Sequence, residues 1–490
     1  MSQIFRRPTL ERQKLLALCG YKALASFIYA IVKSLKDPLI ATAKEGGAES
    51  ISFVKGFIVV PASILFVFLY GFLMNKYPPR KIFYGIMLCF IGYFLLYALV
   101  LFPNAEYLSP KTHFEALMKN CPNQKYIWAA YLNWVHVTFF VASEFFAQIV
   151  IVLLFFSIAN EIYHFKSAKK NYHLLIAGGF VGGLLGTFYM DLVDYIYGKK
   201  SVESVPLILL TSVFMACMLL LVYRWLDQQF LQKERGHVNR CIQKEQQLSL
   251  WENIRHLITH KRLLGIAIMV FGANLIPQLM EGIYNACLKE CHPKFAGNWE
   301  FGRKVLQLSI LLSIFTGFFL SGNIIRKWGW KVTAYIMPVT VLVSGTLFLL
   351  AAHYKHHLGF LETYLHCTPA KFVVYLGAAQ HLLWKVAEYV FFDKTREMAY
   401  INCDANARRK GKAVIDLLGS RSGKALGNQV QTLIMCLAGV KSVLSVTLPI
   451  LFCLVLACIP WFYSINRLGG VVFAKSSSEQ SACTKKRDEV

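Results

Sequence analysis

The chain has 490 residues, 56% hydrophobic and 16% charged, with a mean hydropathy of +0.46 and a formal net charge of +25. A soluble protein carries about 25% charged residues, and cores split rather than grow beyond roughly 250–300 residues, so no soluble interior hides this much apolar side chain. The composition excludes a soluble globular class. No compact basic domain or nucleic-acid motif accompanies the positive charge, so no nucleic acid is expected as a partner; basic loops and an anionic substrate stay open as its cause.

Residues 1–14 read as a short basic cytoplasmic tail without a small-residue cleavage site. A membrane-crossing helix needs about 20 mostly apolar residues. The chain offers such runs near 15–35, 54–74, 82–102, 128–158, 172–197 and 205–223. A second set follows near 263–285, 305–325, 332–352, 372–392, 413–436 and 443–466. The run at 128–158 is counted once because nothing inside it looks like a turn. The expected architecture is all-α and integral to the membrane, with 12 transmembrane helices as two six-helix halves, 15–223 and 263–466. A cytoplasmic linker (224–262) joins them, and a basic cytoplasmic tail (467–490) follows.

With both termini inside, the inner loops hold roughly twice as many Lys and Arg as the outer ones, the bias that fixes orientation. The halves also echo each other. "LMNKYPPRKIFYGIM" between spans 2 and 3 resembles "IIRKWGWKVTAYIM" between spans 8 and 9, each a helix end, a basic turn and a helix start. Such internal repetition favours a transporter of the major-facilitator type.

An ionisable group at bilayer depth costs roughly 2.5–3.5 kcal/mol on insertion scales, so each needs a partner, a wet cavity or a role. By these boundaries Lys22, Lys33, Glu144, Asp191, Asp194, Glu281, Lys385, Glu388, Asp416, Arg421 and Lys424 are embedded, and Lys36 sits at a helix mouth. The set is expected to line a shared polar interior. Its cations offer an anion charge-assisted hydrogen bonds; its carboxylates would hold lysines in place, bind a coupling proton or work a gate.

In "YHLLIAGGFVGGLLGTFYM" the spacings Gly178/Gly182/Gly186 and Gly179/Gly183 let two helices touch backbone to backbone. "GSRSGKAL" at 419–426 is no phosphate-binding P-loop. It has one residue too few between its glycines, Ala425 stands where a magnesium hydroxyl belongs, and no strand precedes it. Arg421 and Lys424, three apart, instead put two cations on one helix face. His353, His356 and His357 fall in an outer loop and are expected to be solvated. Cys287, Cys291 and His292 make a weak metal pattern; no metal and no cofactor is expected.

Several stretches resemble the nucleotide transporter family of obligate intracellular bacteria and plastids, the non-mitochondrial ATP/ADP translocases. They are "KDPLIATAKEGGAESISFVKGFIVVPA", "FFSIANEI" with "AKKNYHLL", and above all "FFDKTREMAYI" followed by "RRKGKAVIDLLGSRSGKALGNQVQ". The similarity runs from about residue 20 to 440 and implies the major-facilitator architecture. The resemblance also implies that two lysines and two glutamates are central to transport: Lys36, Glu144 of "VASEFFAQ", Glu281 of "LMEGIYNACLKE" and Lys424 of "RSGKALG". The chain departs from the family's pattern in places. Lys44 and Glu45 replace a Pro-Gly pair, Gly-Ile-Tyr-Asn follows Glu281 in place of Val-Trp-Lys, and "GKALGN" replaces Gly-Lys-Ser-Gly-Gly.

The reading that results is a monomeric nucleotide carrier of a bacterial inner membrane, not an enzyme. It would exchange ATP for ADP with a host cytosol by alternating access, its halves rocking about a central site. Lys36, Arg421 and Lys424 would receive phosphates, and Tyr284 or Asn285 would meet the base. Its partners are nucleotides and the lipid bilayer. Two alternatives remain open: proton-coupled import of nucleoside triphosphates, with Glu144, Asp191 or Glu281 titrating, and exchange of NAD for ADP. A membrane enzyme acting on lipid head groups is a further rival, but no nucleophile–base pair supports it.

Overall fold

Helix α1 (Thr9–Ala41) runs past the point where Pro38 would be expected to stop it. The buried run Leu39, Ile40 and Ala41 holds its last turn, and Thr42 closes that turn with backbone and side-chain hydrogen bonds to the Pro38 carbonyl at 3.0 and 2.8 Å. Lys36 is therefore inside the helix rather than at its mouth. The computed structural model describes residues 9–120, 124–162, 165–197, 201–231, 261–319, 321–401, 415, 419–440 and 442–488. The other long helices, in chain order, are α2 (Val60–Lys76), α3 (Pro79–Leu96), α4 (Trp134–Phe146), α5 (Phe165–Ile196) and α6 (Ser201–Leu226). They continue with α7 (Lys261–Cys291), α8 (Phe295–Phe319), α9 (Ser321–His353), α10 (Pro369–Ala387), α11 (Ser420–Ala438) and α12 (Thr447–Asp488).

Local chemistry sets the ends. Pro79 opens α3 after the extended pair Tyr77–Pro78, where its missing N–H costs no hydrogen bond. Thr368 caps α10 by accepting from the Lys371 amide, with Pro369 at the first position. Gly439 ends α11 in the left-handed region at φ 63°. Gly329, at φ 74°, breaks α9 into two segments within "IIRKWGWKV". Both members of the sequence echo therefore interrupt helices, one with Tyr77–Pro78 and one with Gly329.

Two compact units emerge: residues 1–245 with 292–311, and residues 246–291 with 312–490. In the first, α1 is the central helix, packing most against α5, then α6, then α4. Side chains at Gly178, Gly182 and Gly186 would run into the backbone of Cys19, Ala23 and Phe27, so the glycine spacing does seat α5 on α1. Stacked pairs such as Phe83–Tyr223 (centroids 3.5 Å apart) and Tyr97–Phe139 (4.5 Å) fill the core.

In the second unit α7 is the central helix. It packs most against α11, then α12, then α10. Gly423 and Gly427 seat α11 on α7, because a Cβ at either would come 2.7 Å from the carbonyl oxygen of Phe271 or Leu275. The order is that of α1 with α5, α6 and α4. The repeat that one short echo suggested thus extends to the packing scheme.

Among the described residues nine helices are long and apolar enough to cross a membrane. All six runs expected in the first half are among them, and so are those at 263–285, 332–352 and 443–466. The runs near 305–325, 372–392 and 413–436 are not, though α8, α10 and α11 are helical there over their described residues. The run near 305–325 is described only as far as Phe319. Polar side chains lower the hydropathy of the other two: Gln380, His381 and Lys385 on α10, and Arg421, Lys424, Asn428 and Gln431 on α11. The fourth run counts once, as expected, but starts later. Asn133 leaves the helical region (φ −100°, ψ 33°), separating a short helix, Lys125–Leu132, from α4. Its amide bonds the Lys44 carbonyl at 2.8 Å. Most of the expected linker, residues 232–260, lies outside the described residues.

Candidate functional site

In the first unit α1 and α4 bring Lys36 and Glu144 together. The Lys36 ammonium lies 3.0 Å from Glu144 Oε1 and 3.0 Å from Asp37 Oδ1, and the residue is only 4% exposed. Beneath it, 4.1 Å away, is the ring of the fully buried Phe140, one helical turn before Glu144. Lys55 reaches the other part of the same surroundings, its ammonium 5.8 Å from the Phe140 ring centre. Two cations and two carboxylates thus balance around one aromatic ring. Breaking such a pair leaves a buried charge uncompensated, at about 3–5 kcal/mol, so Lys36 stays put until another anion takes its carboxylates' place.

The segment leading into this cluster is strained at one residue. Glu45 has φ 57°, a left-handed conformation that costs a non-glycine residue about 1–2 kcal/mol. It stands where the resembling family has the glycine of a Pro-Gly pair. Its carboxylate meets Lys125 at 2.5 Å, an exposed pair that offsets part of the cost.

In the second unit α7 and α10 form a polar cluster. Tyr284 and Asn285 are each 8% exposed, with Glu281, half-buried, one turn earlier on α7. From α10 come Gln380, His381 and Trp384. The His381 ring lies nearly parallel to Tyr284 at 6.1 Å and edge-on to Trp384 at 5.1 Å. Gly377 makes room for Tyr284, since a Cβ there would come 2.7 Å from its ring. Four buried polar atoms here, Tyr284 Oη, Asn285 Nδ2, Gln380 Nε2 and Trp384 Nε1, have no hydrogen-bond partner among the described residues. Each such group costs about 1–3 kcal/mol. Native folds keep few of them, so four on two packed helices single this cluster out as a candidate for a polar ligand.

Helix α11 carries the remaining candidates. Arg421 is half-buried and Lys424 exposed, while Ser420 donates to Asn274 at 2.9 Å, Asn428 to Gln278 at 3.2 Å and Gln431 to the Leu279 carbonyl at 3.3 Å. Its glycines therefore serve close packing on α7, and its cations project elsewhere.

Several of the other embedded charges have local partners. Lys22 donates to the Ile151 carbonyl at 3.0 Å and sits 4.4 Å from the Phe155 ring. Lys33 lies 5.7 Å from the ring of Tyr29. Lys385 pairs with Glu388 at 2.8 Å. Asp191 and Asp194 meet Arg303, at 3.0 and 2.5 Å, and Gln307 also donates to Asp191. Asp416 lies outside the described residues. His353, His356 and His357 are exposed, as expected of an outer turn.

Three features escaped the sequence reading. Arg303 is 2% exposed, yet "FAGNWEFGRKV" reads as a loop, and only the structure extends α8 back to Phe295. Lys55 falls at the start of the run near 54–74 but is absent from the set of embedded charges. Gln380, His381 and Trp384 escaped because only charges were sought at membrane depth; a polar amide and an indole flanking a histidine in an apolar run were the available signal.

The model of the TLC ATP/ADP transporter family matches residues 2–471. The chain is 29% identical over 472 residues to the ADP,ATP carrier protein 1 of Chlamydia muridarum, covering 93% of this chain and 88% of the relative. It is 28% identical to the ADP,ATP carrier protein 4 of Rickettsia bellii, with 90% and 87% covered. Among solved structures it resembles the nucleoside transporter NupG, with a TM-score of 0.57 at 14% identity over 92% of this chain and 98% of that one. A POT family transporter in complex with 5-aminolevulinic acid gives 0.56 at 11% identity, covering 93% and 96%. These transporters share the major-facilitator-type fold with the chain.

Proposed function

The chain belongs to the TLC ATP/ADP transporter family, and from that premise we propose that it exchanges ATP for ADP across a bacterial inner membrane by alternating access. It is an integral membrane protein; both termini are assigned to the cytoplasm and the working unit to a monomer. The names of its relatives support the substrate. The observation that carries the mechanism is the buried Lys36 held between Asp37 and Glu144 over Phe140.

Phosphate oxygens compete with those two carboxylates for Lys36. An arriving nucleotide takes over the ammonium by charge-assisted hydrogen bonds and releases Glu144. A departing one lets the ion pair close again. In the empty carrier the Lys36 ammonium is answered by Asp37 and Glu144, in the loaded one by phosphate, and exchange requires that only the loaded carrier reorient readily. Arg421 and Lys424 are assigned to further phosphate contacts. Tyr284 and Asn285, with Gln380, His381 and Trp384, are assigned to the base, whose ring nitrogens can accept from the unpartnered donors. Uptake of labelled ATP by intact cells expressing the protein tests the reading: preloading with ADP should accelerate it, and an uncoupler should leave it unchanged.

One observation favours a second reading, proton-coupled import. Glu144 shares Lys36 with the incoming phosphate, so it is the carboxylate assigned to carry the proton in that reading. Collapse of uptake with the uncoupler selects that reading. A preference for NAD over ATP in the same assay would select the dinucleotide exchanger, whose motive is the altered sequence after Glu281.

A further inference from the structure

Helices α2 and α3 are joined by the short Tyr77–Pro78 turn, yet they touch at few points and splay apart. The wedge between them, closed behind by α4, is a cavity of about 840 Å³. Leu69 and Leu73 of α2 line one side, Gly85 and Cys89 of α3 the other, and Val141 and Phe145 of α4 the back. Gly85 and Cys89 are both exposed, and a Cβ built at Gly85 meets no atom within 4 Å, so the floor of the wedge is open.

The chemistry of the walls narrows the occupant. Tyr93 and Thr138, polar residues on the lining, bond each other at 3.0 Å and offer water little to hold. An empty wedge of this size would forfeit dispersion contacts along all its walls. Hydrocarbon fills it best. From Lys81 at one end to Tyr93 at the other, α3 rises about 18 Å, close to the ~15 Å of one leaflet's hydrocarbon. That is the reach of one acyl chain.

The end near the turn is basic. Lys81 lines the cavity and is exposed, and Lys76, also exposed, stands across the turn with its ammonium 5.7 Å from the Tyr77 ring. Arg80 is engaged by Asp227 at 3.2 Å, so the two lysines set the sign of the mouth. We infer that this wedge is a binding site for one anionic glycerophospholipid, its acyl chain along Gly85 and Cys89 and its phosphate at Lys81 and Lys76. The site is separate from the Lys36 cluster and does not depend on which nucleotide is carried.

Native mass spectrometry of the purified full-length protein tests this, after equilibration with equal amounts of phosphatidylglycerol and phosphatidylethanolamine. One phosphatidylglycerol should be retained at least 5-fold over phosphatidylethanolamine. Lys76→Gln with Lys81→Gln should reduce that preference to near unity, and Gly85→Phe, which has open space to enter, should remove the retained lipid altogether at an unchanged melting temperature. Equal retention of both lipids by the wild type overturns the inference. So does a preference that survives loss of both lysines, retention that survives Gly85→Phe, or a different species such as a quinone or a peptide in the lipid's place.

Discussion

The two units use one packing scheme for two electrostatic situations. In each, a first helix is seated against a fifth by glycines four apart: α1 by Gly178, Gly182 and Gly186, and α7 by Gly423 and Gly427. On that common frame the first unit places charges that answer one another, Lys36 with Asp37 and Glu144. The second places donors that no other described residue answers, on Tyr284, Asn285, Gln380 and Trp384. A frame that tolerates both teaches that backbone proximity is the shared constraint, while the polar equipment of each unit is free to specialise. On the proposed assignment one unit meets phosphate and the other the base.

The strongest way to break the comparison is to unseat the glycines. A side chain at Gly182 runs into the Ala23 carbonyl, and one at Gly427 comes 2.7 Å from the Leu275 carbonyl. Gly182→Leu is expected to cost more than about 3 kcal/mol and remove folded protein from the membrane, with Gly427→Leu less severe; overpacking rarely costs less than about 1 kcal/mol. Thermal unfolding of detergent-purified variants measures both. If both are tolerated, the helices do not depend on close approach.

Next in size is the charge cluster. Lys36→Ala should abolish exchange and lower stability by about 3 kcal/mol, because Asp37 and Glu144 lose their partner. Lys36→Gln combined with Glu144→Gln should recover part of the stability, Asp37 still lacking its lysine, while transport stays absent. Recovery of transport in the double variant would reduce the pair to a structural role.

The unanswered donors predict the opposite sign. Asn285→Ala and Gln380→Ala should leave stability unchanged or raise it by up to about 1 kcal/mol, since each removes a buried amide without a partner for its nitrogen. Each should also shift the ranking of ATP, GTP and CTP in competition assays by roughly 5-fold, the worth of about 1 kcal/mol. An unaltered ranking in both variants contradicts the base assignment.

The smallest effect sharpens the reading of the strained turn. Glu45→Gly relieves a left-handed residue at the loss of an exposed pair with Lys125, so a net gain of about 0.5–1 kcal/mol is expected in thermal unfolding. A loss would mean that the Lys125 contact outweighs the backbone.

Much of this was legible in the residues. The glycine spacing on α5 named its packing face because backbone contact demands small residues at that period. Lys36 and Glu144 were visible as misplaced charges, and their pairing followed only once α1 was seen to continue through Pro38. The membrane runs of the first half stood out for their apolar length, whereas α10 and α11 carry enough polar groups to blur that signal. Arg303 was hidden by a stretch that looks like a loop. The α7–α10 cluster was hidden because neutral donors draw no attention until their lack of partners is visible in three dimensions. Partnership between distant residues is a property of packing, and spacing along the chain does not encode it.

The most direct test of the exchange mechanism is counterflow into liposomes containing only the purified protein. Labelled ATP should enter ADP-loaded vesicles at least 10-fold faster than empty ones in the wild type, and Lys36→Ala should reduce both to background. Equal entry into loaded and empty vesicles, or full counterflow without Lys36, would contradict the account.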